Sequence, residues 1–263
     1  MRRLMEQNIL LTVQYDGSNY VGWQRQPANH GPSVQQEVEQ ALSQVFREQI
    51  VVAGAGRTDS GVHAVGQCCT FRSHTPVPLE KLVDILNRRL PEDIRITQAQ
   101  RVADSFHARF SPHRKRYRYV LSQSSSANAF NYRYAWFLEK PLDLSAMVEG
   151  ASYLVGKHDF LHYTVSGVSA SDFVRTIHAI DVYAPETLPP GFPWQVLPEP
   201  VLIEVEADGF LYKMVRIIVG RLVAVGQGKI VPQDMQGYLE GSFDRNIPPA
   251  PPQGLQLLWV QYL

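Results

Sequence analysis

Residues 9–15, ILLTVQY, put Ile9, Leu11, Val13 and Tyr15 on alternate positions, the period of a β-strand with one buried face. Such alternation constrains a chain strongly, because a strand must find a pairing partner and have its apolar face covered. A cover follows in the sequence. After the turn-rich DGSNYVGWQRQPANHGP, Ser33 is placed to cap a helix with Gln36 reaching back, and Val34, Val38, Leu42 and Val45 then fall on one helical face. Residues 65–73 read as a strand. Residues 78–90 read as a helix with Leu79, Leu82, Val83, Leu86 and Leu90 inward and Pro91 ending it, and Ile94 to Val102 as another strand. The first half is α/β.

The pattern restarts at Arg114. A strand over 114–122 sets Tyr117, Tyr119 and Leu121 against Arg116, Arg118 and Val120, so Tyr117 faces away from its basic neighbours. Residues 134–138 read as strand, 143–156 as a helix with Leu144, Met147, Val148, Ala151 and Leu154 apolar, and 173–183 as strand. The stretch PETLPPGFPWQVLPEP at 185–200 is an exposed excursion, since alternation resumes cleanly at Val201 to Ala207. A helix from about Leu211 to Val225 and a strand at 255–263 complete the pattern, which divides into halves at 1–105 and 106–263 with only a loose likeness between them.

Composition removes several classes. No run approaches the ~20 consecutive apolar residues of a membrane-spanning helix, and Arg2 and Arg3 are followed by no signal-peptide core, so a cytoplasmic protein without a membrane partner is expected. The adjacent Cys68 and Cys69 suit buried strand packing better than a disulfide or a zinc site. Lysine plus arginine and aspartate plus glutamate are each 25, so net charge lends a nucleic-acid partner no support. Locally, HARFSPHRKRYR at 107–118 has five Arg or Lys residues, no acid, and Phe110 and Tyr117 interleaved. That composition suits phosphate contact with base stacking, and equally a solvated face.

The most informative segment is AGAGRTDSGVHAVGQ at 53–67, where Gly54, Gly56, Gly61 and Gly66 crowd around Arg57, Thr58, Asp59 and His63. Neither the Walker spacing nor a GxGxxG opening into a helix is present, so the loop is no phosphate cradle. It displays Asp59, either as a chemical group or as the Asx residue of a tight hairpin.

Here the sequence resembles the tRNA pseudouridine synthases of the TruA type. GRTDSGVHA at 56–64 looks like that family's catalytic loop, and YDGSNYVGWQRQ (15–26), SVQ (33–35), RKRYRY (114–119), GKHDF (156–160), RTI (175–177) and DGFLYKMVRIIVG (208–220) look like its other segments, in its order. The resemblance implies a pseudouridine synthase fold of α+β type: two similar α/β halves with mostly antiparallel sheets flanked by helices, meeting in a catalytic cleft. It further implies a homodimer acting on tRNA, with uridines 38, 39 and 40 of the anticodon stem-loop converted to pseudouridine. By the same resemblance Asp59 is the catalytic aspartate, Tyr117 contacts the target base and Arg216 pairs with the aspartate. Arg57 is placed to hold the vacated site or a nearby phosphate, and Leu211 and Met214 to wall the pocket. The isomerisation adds no group and changes no redox state, so neither cofactor nor metal is expected.

Other readings stay open on the residues alone. Tyr117, Leu211 and Met214 also suit core packing, Arg57 and Arg216 a charged surface, and His63 a brace for its loop. A non-catalytic tRNA-binding protein on the same scaffold is one rival. Another is a metal-dependent hydrolase on His158 and His162, whose spacing puts two ligands on one helical turn, although the HExxH glutamate is absent at Asp159.

Overall fold

The structure, a computed structural model, describes residues 6–74, 78–111, 113–125, 127, 129–165, 172–187 and 197–263. In chain order its elements are β1 (Gln7–Tyr15), α1 (Val34–Phe46), β2 (Ala53–Gly54), β3 (His63–Ser73), α2 (Leu79–Asn87), β4 (Ile94–Val102), β5 (His113–Ser122), β6 (Trp136–Phe137), α3 (Leu144–Ser152), β7 (Gly156–Asp159), β8 (Val174–Tyr183), β9 (Pro200–Ala207), α4 (Met214–Gly226), α5 (Asp234–Glu240) and β10 (Leu255–Tyr262). They form two compact units, Met1–His113 with Leu257–Leu263, and Arg114–Gln256. The centre of the proline-rich excursion, 188–196, lies outside the described residues.

In the first unit the strand order is β4-β1-β3-β10, with β2 on β3 and the β1 ladders antiparallel. Ser33 caps α1 by accepting the Gln36 N–H at 3.3 Å, and Val34, Val38, Leu42 and Phe46 are buried along its inner face. Alternation in β1 buries Ile9, Leu11, Val13 and Tyr15 as expected, yet Leu10 on the opposite face is also buried. The segment after β4 covers that face. Asn8 Nδ2 donates to the carbonyls of Ala103 and Phe106, and Leu10 packs with Ala55, Cys68 and Ala108 beneath Phe106 and Tyr262. Cys68 and Cys69, both buried, sit on β3 as packing residues.

In the second unit the order is β5-β9-β8-β7, with β6 parallel to β5. As an inner strand, β9 is buried on both faces, beyond the one-sided burial that its alternation suggests. Asp143 caps α3, accepting the Ala146 N–H at 3.0 Å, but the helix stops at Ser152 and Val148 points to solvent instead of inward. Its buried face packs tightly on α4: a Cβ on Gly226 would stand 2.6 Å from Met147 Sδ. The helix α4 begins at Met214, three residues later than the periodicity predicts, because Lys213 adopts a left-handed backbone with φ 60° and breaks the helical run.

Candidate active site

Asp59 lies in the first unit, on the turn that feeds β3, and is partly buried. Its carbonyl accepts the Val62 N–H at 3.2 Å and Gly61 follows with φ +77°, so a four-residue turn fixes the backbone at the carboxylate. Arg57, two residues earlier, is exposed, and Thr58 between them is buried.

The loop is held from outside by residues 15–23. Trp23 N donates to Thr58 O at 3.2 Å, Gly61 N to Tyr20 O at 3.4 Å and Ser60 Oγ to Tyr20 O at 3.2 Å. Tyr15 Oη meets Thr58 Oγ1 at 2.8 Å, and Gly17 N donates to His63 Nδ1 at 3.1 Å. Burial pushes the Tyr15 phenol up, so it remains a neutral hydroxyl against Thr58. Two glycines permit this approach. A Cβ on Gly22, whose φ is +109°, would lie 2.3 Å from Thr58 O, and one on Gly17 would lie 2.0 Å from Val62 O. The YDGSNYVGW segment is therefore the backbone brace of the Asp59 loop, a role that spacing in the sequence does not reveal.

The other expected site residues belong to the second unit. Tyr117, on β5 opposite Val205 of β9, is 6% exposed, and its ring meets that of Phe210 edge-to-face with centroids 5.1 Å apart. Arg216, in the first turn of α4, donates from Nε to Ala250 O at 2.7 Å, while Ala250 N donates to Arg216 O at 2.8 Å. Leu211 and Met214 are buried and meet at the helix start, where Met214 N donates to Leu211 O at 3.1 Å. Tyr117, Leu211, Met214 and Arg216 thus share one unit, and Arg57 and Asp59 share the other.

A family model described as tRNA pseudouridine synthase matches residues 11–111 and 151–263, a span that includes the Asp59 loop, its brace and the Leu211 to Arg216 segment. The chain belongs to the tRNA pseudouridine synthase family. It is 41% identical over 257 residues to tRNA pseudouridine synthase A of Thermoanaerobacter sp. strain X514, covering 97% of this chain and 99% of that relative. To the protein of the same name from Moorella thermoacetica it is 42% identical over 253 residues, covering 96% and 98%.

In this synthase-family chain the basic run at 107–118 is not the positive strip its composition suggests. Arg116 donates from Nε to Glu204 at 2.7 Å and from Nη1 to Glu206 at 3.2 Å, and pairs with Asp181. Arg118 Nε donates to Glu204 at 2.7 Å, Arg114 pairs with Glu206 at 3.4 Å, and Lys115 is buried. Antiparallel pairing of β5 with β9 sets Arg118 opposite Glu204 and Arg116 opposite Glu206, which neutralises this face. Burial raises the Glu204 carboxyl, but hydrogen bonds and charge from Arg118 and Arg116 outweigh it and hold the group below the ordinary range.

The paired-histidine site also fails on geometry. His158 lies in β7 and His162 in a 3-10 turn, so no helical turn brings them to one face. The His158 ring has another partner, its Nε2 lying 3.1 Å from Val155 O. Among the described residues no cluster of three His, Cys, Asp or Glu could hold a metal ion, and no helix is long and apolar enough to cross a membrane.

Proposed function

We propose that this chain isomerises uridine to pseudouridine in the anticodon stem-loop of tRNA, at positions 38, 39 and 40, with Asp59 as the catalytic carboxylate. The observation that carries the reading is the braced turn at 58–62, which presents Asp59 partly buried and fixed by backbone bonds. Relatives named tRNA pseudouridine synthase A, matched over 97% of this chain, support it.

The reaction breaks the N1–C1′ bond, turns the uracil and forms a C5–C1′ bond; C5 loses its hydrogen and N1 gains one. Atoms and electrons balance within the substrate and water, so the stoichiometry calls for no cofactor. Glycoside hydrolysis uses a second carboxyl to protonate a poor leaving group, whereas uracil departs as a delocalised anion and one carboxylate suffices. Burial alone would raise that carboxylate's pKa, and a guanidinium within about 4–6 Å opposes the rise; Arg216 is the group we assign to this pairing. Asp59 then acts by adding to C1′, adding to C6 or removing a C2′ proton, and residue identity favours none of the three.

A stacked base must be flipped out at a cost of a few kcal/mol, and an aromatic platform such as Tyr117 returns about 1–3 kcal/mol. Leu211 and Met214 supply apolar wall, and exposed Arg57 takes the vacated site or a phosphate. In this reading residues 1–105 carry the catalytic loop and 106–263 the base-contacting set, the protein acts as a cytoplasmic homodimer on tRNA, and no metal is required.

Carbodiimide treatment and primer extension of an unmodified tRNA incubated with the protein test the reading. Stops mapping to positions 38–40 are expected. Binding without any new stop would instead make the chain a non-catalytic tRNA-binding protein.

A further inference from the structure

The geometry points to a second RNA contact, made by residues outside the base-contacting set: the turn at 107–111, with Phe110 as a stacking platform for an unpaired base and Arg109 as the group for its phosphate. The inference rests on the tRNA reading above, but not on the catalytic roles within it.

Phe110 is 73% exposed although its backbone is firmly fixed. Phe110 N and Ser111 N both donate to His107 O, at 3.1 and 2.9 Å, His107 N donates to Ser111 Oγ at 3.0 Å, and Arg109 N donates to His107 Nδ1 at 3.1 Å. The turn is in turn pinned through fully buried Ala108, whose N–H donates to Thr70 Oγ1 at 3.4 Å and whose carbonyl accepts from Tyr262 at 2.8 Å. Phe110 is therefore held out by a built turn, and ordering it again on binding costs little entropy.

Its surroundings select the partner. The His107 ring lies against Phe110 with centroids 4.5 Å apart, and the Arg109 guanidinium carbon stands 5.5 Å from the Phe110 centroid. No acidic residue occurs between His107 and Arg118. Further along the run Arg114, Arg116 and Arg118 are matched to Glu204, Glu206 and Asp181, so the cationic share left on the surface is concentrated at Arg109. A ring beside a guanidinium and an imidazole, in a run of sequence without acids, fits a base and its phosphate better than an apolar protein surface.

The test uses Phe110→Ala, Phe110→Trp and Arg109→Gln in the full chain, with filter binding of unmodified tRNA across a salt series. Tritium release from 5-tritiated uridine at saturating tRNA and sedimentation are run beside it. Phe110→Ala is expected to raise Kd about tenfold, the scale of one stacked base, with turnover at saturation kept within about twofold and Phe110→Trp restoring affinity. Arg109→Gln is expected to lower the slope of log K on log salt by about one. Wild-type affinity in Phe110→Ala would overturn the inference, and so would loss of self-association in that variant at unchanged Kd, which would assign the ring to a second copy. Binding by wild type without tritium release would remove the catalytic reading while leaving this surface intact.

Discussion

The Phe210 ring stands at 89° to the Tyr117 ring, with centroids 5.1 Å apart. Phe210 sits on a loop tied to β8, where Thr176 N donates to Asp208 Oδ1 at 3.0 Å and Asp208 N donates to Thr176 O at 3.2 Å. The same loop continues into Leu211, Met214 and Arg216. A phenol already buried in a sheet thus has its ring plane set by the segment that carries the proposed arginine. Such edge-to-face pairs contribute about 0.5–1.5 kcal/mol. Phe210→Leu is therefore expected to lower kcat roughly three- to tenfold with little change in Kd for tRNA, as measured by single-turnover and binding assays. An unchanged kcat would show that the ring does not orient Tyr117.

Gly22 tests the brace. A Cβ there meets Thr58 O at 2.3 Å and the Asp59 carbonyl carbon at 3.0 Å, so Gly22→Ala must displace the loop. Activity should fall more than about tenfold and stability by about 1–3 kcal/mol. Gly228→Ala is the control: its φ is +66° but nothing lies within 4 Å of the new Cβ. That variant should lose only about 1 kcal/mol, from backbone strain, and retain its turnover in the same assays.

The charged face of the second unit predicts a pH response. Folding holds the Glu204 carboxyl below its ordinary value of 4.5, so the unfolded chain binds the proton first as pH falls. The stabilisation is complete above about pH 5.5, a unit over that value, and is lost as pH drops through the depressed folded pKa. Glu204→Gln leaves Arg116 and Arg118 with a neutral acceptor and should cost about 2 kcal/mol at pH 7. Chemical denaturation of both proteins from pH 7 to pH 3 should show the gap closing with acid. A constant gap would show that folding does not hold the Glu204 carboxyl below its ordinary value.

Arg221 lies against two rings set at 74° to one another, its guanidinium carbon 3.5 Å from the Tyr238 centroid and 4.3 Å from that of Tyr163. A guanidinium meets two rings through its delocalised face and its edge donors, which the compact ammonium of lysine cannot reproduce. Arg221→Lys should therefore destabilise the second unit by about 1–2 kcal/mol, read by urea unfolding, despite preserving charge.

Much of this was legible from periodicity. Ser33 before an apolar helical face and the alternation of β1 and β5 report local preferences, and those elements form where the pattern places them. What failed needed distant partners. The β9 carboxylates set opposite Arg116 and Arg118, Glu206 and Glu204, lie 90 and 86 residues away and are brought there by the strand register, and Asp181 reaches Arg116 from β8. Leu10 reads as solvent-facing until the chain returns over it at Ala108. The short α5 has too few residues to display a face, and Lys213 delays the start of α4 by its backbone conformation. At the site, GRTDSGVHA singled out Asp59, whereas the dependence of its loop on Gly17, Gly22 and Trp23 appears only in three dimensions.

If Asp59 performs the chemistry on a tRNA uridine, tritium release from tRNA carrying 5-tritiated uridine reports it directly. Forming the C5–C1′ bond must expel that hydrogen. Wild-type protein should release tritium without added cofactor, and Asp59→Ala and Asp59→Asn should bind the same tRNA within about threefold yet release none above background. Release by either variant at the wild-type rate would contradict the role given to Asp59.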